Sequence, residues 1–383
     1  MSDTLIVVGA GLIGSSIAYH LSLITNKKII VLERSQDSFP AYSSKGGSRI
    51  TGRALGSECA EYVSLLSVSN EIYRTLIKKG FPIFYPGDCV TVGSHGSPKI
   101  IQTLAQIKDY SVEAEHFTNK NTAKFYTDEC LVTNDVADEI IVEKHSDINM
   151  LGILDPSVCV QAFQALAIKN GVEFKFDTQL VSLSKCEDQN RLEIVSNGAM
   201  EVMLAEKVVL ATNANTGYLS TLKAKVWRQR MPLIFIEIEH AAFVNSYLYV
   251  NDIGAYDLFV MPEHMDGKLY LKAGIHDLEL YEDVALSDEQ FLQKMQGVIH
   301  DKVCEYFPFV RGKKISHTVI CEYGVTKDGL PYIGEVDQGV WVAVGFNGNG
   351  AKHAGAFGLL VARLLINQKI DPMLERFAVN RGV

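Results

Sequence analysis

Residues 5–34 run Leu5-Ile6-Val7-Val8-Gly9-Ala10-Gly11-Leu12-Ile13-Gly14, continue from Ser15 to Ile24, and end in Lys28-Ile29-Ile30-Val31-Leu32-Glu33-Arg34. Leu5 to Val8 is a continuous, mostly β-branched apolar run, the pattern of a strand buried on both faces in a parallel sheet. Ile17, Leu21 and Ile24 recur on one side of a helix. Lys28 to Leu32 is a second strand, and it ends in an acid. Gly9 permits a tight turn off the first strand, Gly11 lets a pyrophosphate approach the backbone, and Gly14 lets the helix pack closely on the sheet. The helix start, at Leu12 and Ile13, offers N–H groups and a partial positive charge to phosphate. Glu33 can accept hydrogen bonds from a ribose 2′-OH, and Arg34 follows it at the same strand end. An acid at this place disfavours a 2′-phosphate, so NADP fits poorly; NAD and FAD both remain open.

Working outward, Val340-Trp341-Val342-Ala343-Val344-Gly345 is again a buried strand ending in glycine. Phe346-Asn347-Gly348-Asn349-Gly350-Ala351-Lys352 follows, and an apolar helix runs from about 354 to 366. Its start is either a second anion site or a close-packed helix that needs small residues. If both turns bind, they suggest one long cofactor, with pyrophosphate at the first turn and the negative edge of a reduced flavin at the second.

The intervening chain reads as helix over about 58–79, short strands and polar turns over 81–149, and a helix over 158–170 with Asp155 or Ser157 as its cap. Strands are expected at 172–176, 181–184 and 207–213, and strand–helix–strand order here predicts more parallel sheet. From about 225 to 272 longer alternating strands predict an antiparallel or mixed sheet, and 286–306 a helix. The expected fold is α/β: a Rossmann-like dinucleotide-binding domain formed by residues 1–85, 149–220 and 325–383, interleaved with a substrate domain of mixed or antiparallel sheet at 86–148 and 221–324.

Net charge is −9 over 383 residues with no long basic run, which makes nucleic acid and anionic membranes poor partners. Seven cysteines are scattered with no Cys-x-x-Cys pair, which argues against a disulfide framework or a zinc site and for a reducing compartment. No signal peptide or transmembrane run is read, so the expected place is the cytoplasm.

With these residues in view, nearly the whole chain resembles the monomeric sarcosine oxidase family, which includes N-methyltryptophan oxidase and pipecolate oxidase, within the D-amino-acid-oxidase-like flavoproteins. The resemblance is carried by Val8 to Gly14, Gly46-Gly47-Ser48-Arg49-Ile50, Gly152-Ile153-Leu154, Leu271-Lys272-Ala273-Gly274-Ile275-His276, Cys321-Glu322-Tyr323 and Gly345 to Lys352. Asp328-Gly329-Leu330-Pro331 resembles a turn common across the superfamily. The resemblance implies FAD, tethered by a thioether from Cys321 to the flavin, which needs a nucleophilic thiolate. It implies Lys272 as the ammonium that activates O2, Lys352 as the partner of a substrate carboxylate, and His276 and Tyr323 in the amine pocket. Arg49 is implied near the flavin, and Ser43, Ser44 and Val181 join the glycine turns, Glu33 and Arg34 as cofactor-binding candidates. The implied reaction oxidises a secondary amino acid to an imine and reduces O2 to H2O2 in a monomeric enzyme.

Three positions depart from the family pattern. Gly52, followed by Arg53, stands where the family has an arginine for the substrate carboxylate; Lys45 replaces a histidine; and Phe259 stands for a pocket tyrosine. They bear on the substrate more than on the cofactor. Competing expectations are a flavin dehydrogenase with another electron acceptor, an NAD-dependent dehydrogenase, and a non-catalytic FAD-fold binding protein.

Overall fold

The computed structural model describes residues 3–36, 43–44, 46–52, 59–118, 139–146, 150–215, 226–239, 246–252, 256–276 and 286–381, without the side chains of 246–257 and 276. Lys45 and Arg53 lie outside the described residues.

One sheet carries β1 (Thr4–Val8), β2 (Lys28–Leu32), β9 (Glu173–Lys175), β13 (Lys207–Leu210), β19 (Tyr332–Asp337) and β20 (Val340–Val344), in the order β19-β20-β13-β1-β2-β9. All neighbours are parallel except β19 and β20. Alternate residues of these strands feed two cores. Leu5, Val7, Ile29 and Val31 meet the helices α1 (Leu12–Ile24), α2 (Ala60–Lys78), α4 (Pro156–Lys169) and α6 (Gly350–Asn367). Ile6, Val8, Ile30 and Leu32 meet Leu180, Leu192 and Ile194 on the other side. Burial on both faces accounts for the uninterrupted apolar runs.

That second layer departs from the expected parallel pattern. β10 (Thr178–Cys186), β11 (Gln189–Ser196) and β12 (Ala199–Ala205) form an antiparallel meander. Asn197 (φ 49°) and Gly198 (φ 79°) make the two-residue connection that only antiparallel neighbours accept. A helix also stands where short strands and turns were expected: α3 (Pro98–Tyr110), capped by Ser97 with Pro98 in its first turn. Ile100, Leu104 and Ile107 recur at helical spacing, although only Ile100 and Thr103 are buried.

The larger sheet has eight strands: β5 (Asp88–Gly93), β6 (Ala114–Phe117), β7 (Glu139–Glu143), β14 (Val226–Glu237), β15 (Ser246–Asp252), β16 (Tyr256–Met265), β17 (Lys268–His276) and β18 (His317–Thr326). Their order is β18-β14-β17-β16-β15-β5-β7-β6, antiparallel throughout except for β15 with β5. One face packs on α5 (Asp288–Tyr306), whose start is a capping box of Ser287 and Gln290. The other face, with Met231, Leu233, Phe235, Phe259, Met261 and Cys321, forms a separate apolar layer.

A small sheet of β3 (Arg49–Thr51), β8 (Gly152–Leu154) and β4 (Phe84–Pro86) packs Ile50 and Ile153 against that layer. Gly152 to Leu154 is thus a strand leading into α4, whose cap is Asp155 Oδ1, accepting from Val158 N at 3.0 Å. Ser157 is not the cap; its hydroxyl donates to Gly46 O at 3.0 Å.

Candidate active site

β20 and β1 flank β13, so the glycine turns that leave them open into one cleft. It encloses about 1320 Å³, solvent at its mouth included, and Gly9, Gly11, Gly348 and Gly350 all line it. Gly9 has φ +102°, and a Cβ on Gly14 would stand 1.8 Å from Gly9 O, so the first helix can approach its strand only with glycine there. A Cβ on Gly11 would meet only Ser44 Oγ, at 3.3 Å, leaving the cleft side of the turn open. Neither α1 nor α6 has an acid in its first turn or a side-chain cap from its N-cap residue. Neither start is capped from its own N-cap residue, which leaves first-turn N–H groups for a ligand.

Leu12, Ile13, Glu33, Arg34, Ser43, Ser44, Arg49, Phe346 and Tyr323 also line the cleft. Glu33 is buried and accepts from Ala10 N at 2.8 Å and Ser35 N at 3.0 Å, which aims its carboxylate across the first turn. Ser44 Oγ accepts from Leu12 N at 3.1 Å. Val181 does not line the cleft: it is 46% exposed beside a register shift in β10, and Leu180 takes the inward place. Gly14 and Gly345 act behind the wall. Gly345 has φ +75°, and a Cβ there would stand 2.7 Å from Thr326 Cγ2.

Register in the larger sheet assembles the other candidates. Cys321 lies opposite Met231 on β14, and Phe235 lies opposite Lys272. Cys321, Tyr323 and Lys272 thereby share the face that looks away from α5. Arg49 reaches this face from the small sheet: its guanidinium donates to Ser48 O at 2.7 Å and Ser43 O at 3.0 Å, with Nη2 3.8 Å from Cys321 Sγ.

Lys272 is 2% exposed in mid-strand, so it does not reach out to water. Its ammonium donates to Glu263 Oε2 at 2.7 Å, Ser48 O at 3.0 Å and Ser48 Oγ at 3.1 Å. Burial and then repulsion from Arg49 pull the Lys272 pKa below the usual lysine value, against the opposing pull of Glu263. Burial works to raise the Glu263 pKa, but Lys272, Ser48 and Gly47 N together outweigh it and hold the carboxyl below its ordinary range.

Lys352 sits half-buried in the first turn of α6, behind the turn whose Gly348 faces the Tyr323 ring at 3.5 Å from a built Cβ. His276 ends β17, and its side chain lies outside the described residues. Gly52 follows β3 without a side chain, as the sequence requires. Phe259 lies in the apolar layer, and a Cβ on Gly274 would stand 2.5 Å from its ring, so this glycine makes room for it.

Four contributors went unnoticed in the sequence. Glu263 and Ser48 hold Lys272. Gln229 lies opposite Tyr323. Asn213, at the end of β13, donates from Nδ2 to Ser43 Oγ at 2.7 Å and accepts from Gly324 N at 2.8 Å. For Glu263 a signal existed: an acid in alternation with Phe259 and Met261, near the Asp266-Gly267 turn that sets the hairpin register.

The family described as DAO, FAD dependent oxidoreductase, matches residues 4–364. The chain belongs to this family. The fold of this FAD-dependent oxidoreductase is similar to solved structures at low identity. Glycine oxidase from Geobacillus kaustophilus is 16% identical, with TM-score 0.77, over 99% of this chain and 98% of that one. L-proline dehydrogenase from P. horikoshii is 17% identical, with TM-score 0.78, over 99% and 97%. Fructosyl amine:oxygen oxidoreductase (Amadoriase I) from Aspergillus fumigatus is 18% identical, with TM-score 0.77, over 99% and 90%. No curated protein sequence matches the chain.

The oxidoreductase's cleft fits FAD on its own geometry. The open side of Gly11, the start of α1 and the Glu33 carboxylate suit a pyrophosphate and ribose, and the start of α6 suits an anionic ring edge. Among the described residues no cluster could hold a metal ion, and no helix is long and apolar enough to cross a membrane.

Proposed function

We propose that this oxidoreductase oxidises a secondary amino acid, N-methylated or cyclic, at the carbon next to nitrogen. The observation that carries the proposal is the shared face of Cys321, Tyr323 and Lys272, set against a cleft closed by two glycine turns. The balanced reaction removes two electrons and two protons from the CH–NH unit to leave an imine, and O2 takes them as H2O2. FAD, when bound, supplies the two-electron acceptor.

Lys352 holds the substrate carboxylate by a charge-assisted hydrogen bond. Tyr323 and Phe259 wall the amine pocket, Arg49 lies on its polar side, and His276, at the end of β17, is a further active-site candidate. Cys321 Sγ tethers the flavin, with Arg49 Nη2 3.8 Å away. Lys272 provides positive charge where O2 becomes negative. The solved structures of similar fold are named for a glycine, an L-proline and a fructosyl amine donor, which agrees with a C–N donor here.

A second proposal has a specific observation behind it. Hydrogen bonds from Lys272 to Glu263 and Ser48 occupy three donor positions, the full capacity of an ammonium. That arrangement favours a dehydrogenase that passes electrons to another acceptor. A peroxide-coupled screen of secondary amino acids on purified flavin-loaded protein separates the two. Peroxide equal to substrate consumed supports the oxidase; flavin reduction without peroxide supports the dehydrogenase; no reduction by any secondary amino acid rejects both. Acid-precipitated protein stays yellow if Cys321 carries the flavin, and a colourless pellet rejects the tether.

A further inference from the structure

The second glycine turn has an unfavourable backbone. Gly345 (φ 75°), Asn347 (φ 51°) and Gly348 (φ 79°) are all left-handed, and Asn347 is not a glycine. Such a conformation persists only where the surrounding structure holds it. Phe346, Gly348 and Gly350 line the cleft, so the shape of this turn decides how the start of α6 meets a bound flavin.

The hold is a continuous chain of hydrogen bonds leading away from the cleft. Asn347 N donates to Gly324 O at 2.9 Å, and Asn347 Oδ1 accepts from Thr326 N at 2.9 Å. Asn347 Nδ2 donates to Thr326 Oγ1 at 3.1 Å and to Gly345 O at 2.5 Å. Thr326 Oγ1 donates in turn to Leu330 O at 2.8 Å and lies 3.1 Å from Asp328 Oδ1. Arg381 grips Asp328 in bidentate form, with Nε 2.7 Å from Oδ2 and Nη2 3.0 Å from Oδ1. It also donates to Leu330 O at 2.7 Å, Pro331 O at 2.8 Å and Phe377 O at 3.1 Å, and lies 4.0 Å over the Tyr332 ring. The two side chains are only 12% and 24% exposed, so water competes little for this clamp. Burial works to raise the Asp328 pKa, but Arg381, Leu330 N and Thr326 outweigh it and hold the carboxyl below its ordinary range. Neither Arg381 nor Asp328 lines the cleft; their reach to it runs through Thr326 and Asn347.

We propose that Arg381 and Asp328 are positioning residues for the flavin ring, holding the second glycine turn, through Thr326 and Asn347, in the form that stabilises reduced flavin. The proposal rests on FAD in the cleft and is independent of the amine-oxidation reading, because it concerns the flavin's potential and not its electron donor. The positive start of α6 favours an anionic reduced ring over a neutral oxidised one. A loosened turn therefore lowers the midpoint potential.

Dye-coupled potentiometry of the flavin-loaded protein, with no amine present, tests this. Arg381→Ala, Asp328→Ala and Thr326→Val, which keeps the branched shape and loses the hydroxyl, are each expected to lower the potential by about 30 mV, a tenfold loss of preference for reduced flavin. Arg381→Ala removes a positive charge and Asp328→Ala a negative one. A direct field would move the potential in opposite directions, whereas positioning moves both downward. The double variant Arg381→Ala/Thr326→Val should shift no further than the larger single change, because one break already interrupts the chain. Arg381→Lys can keep the ion pair but not the fork across the carbonyls, and should fall between wild type and Arg381→Ala. If Arg381→Ala fails to retain flavin, Arg381→Lys replaces it in the double variant with the same expectation. Opposite shifts for the two alanine variants, additive shifts in the double variant, or an unchanged potential overturn the proposal even where Tm falls.

Discussion

Lys272 and Glu263 meet diagonally across one hairpin, with Nζ 2.7 Å from Oε2 and both side chains at most 5% exposed. The Asp266-Gly267 turn pairs Met265 with Lys268, which places Met261 opposite Lys272 and Glu263 opposite Tyr270. The two charges are therefore near neighbours on one face.

Removing either partner strands a buried charge. Lys272→Met and Glu263→Gln are each expected to destabilise the flavin-loaded protein by about 3–5 kcal/mol, and the double variant to recover much of that loss. Denaturant unfolding of the four proteins measures the coupling; additive losses would show that the pair does not act as a unit. Lys272→Met should also slow flavin reoxidation by O2 more than flavin reduction, and stopped-flow separation of the two steps checks it.

The two glycines of the first turn should respond differently to a methyl group. Gly14→Ala drives a Cβ to 1.8 Å from Gly9 O, so α1 must leave its strand and both stability and flavin content should fall sharply. Gly11→Ala meets only the Ser44 hydroxyl at 3.3 Å and should cost about 1 kcal/mol or less of stability. Its loss should appear in flavin affinity, measured by titrating apoprotein with FAD.

Asn213 joins the end of β13 to the Ser43 loop and to the strand that carries Cys321 and Tyr323. It also holds φ +55°, where asparagine is tolerated better than most residues. Asn213→Ala should destabilise the protein by about 1–3 kcal/mol and weaken flavin retention. Asn213→Gly relieves the backbone strain and leaves the hydrogen bonds missing, so it isolates their share. Thermal melting with and without added FAD distinguishes the two variants.

Acid should weaken the fold in two stages. His20 is a buried residue of α1, and burial chiefly pulls its pKa from 6.5 to about 4, with Arg363 adding repulsion. His353 has no partner at either ring nitrogen, and burial with repulsion from Lys352 holds its pKa well below 6.5. Both folded-state values are depressed, so the unfolded chain takes up protons first as pH drops. Stability is full above about 6.5 and is lost on the way down, by about 3 kcal/mol for His20 alone by pH 4. Glu263, also depressed, adds a further loss as pH falls through its folded value. His20→Gln should flatten the first stage in denaturant unfolding at a series of pH values; an unchanged slope would exclude His20 as its source.

The glycine turns, the strands on either side of them and helices α1, α2, α4, α5 and α6 were legible because each is written in local periodicity. α3 was not read, although Ile100, Leu104 and Ile107 recur at helical spacing behind the Ser97-Pro98 start. Of the meander only 181–184 in β10 was read, in a series expected to be parallel; β11 and β12 were not read, although Asn197-Gly198 marks a hairpin. Val181 is 46% exposed beside the register shift of β10, next to Leu180, which lines the cleft. Cys321, Lys272 and Tyr323 were individually visible, but Glu263, Asn213 and Gln229 were not.

By itself the sequence determined where two phosphate-suited turns occur and which strand faces are apolar, because glycine conformation and side-chain alternation depend on near neighbours. Only the tertiary structure decided that both turns open into one cleft, that Glu263 meets Lys272 and that Gln229 stands beside Tyr323. Those outcomes depend on strand order and register among segments far apart in the chain. Each is set by the packing of whole faces, which no short stretch of residues contains.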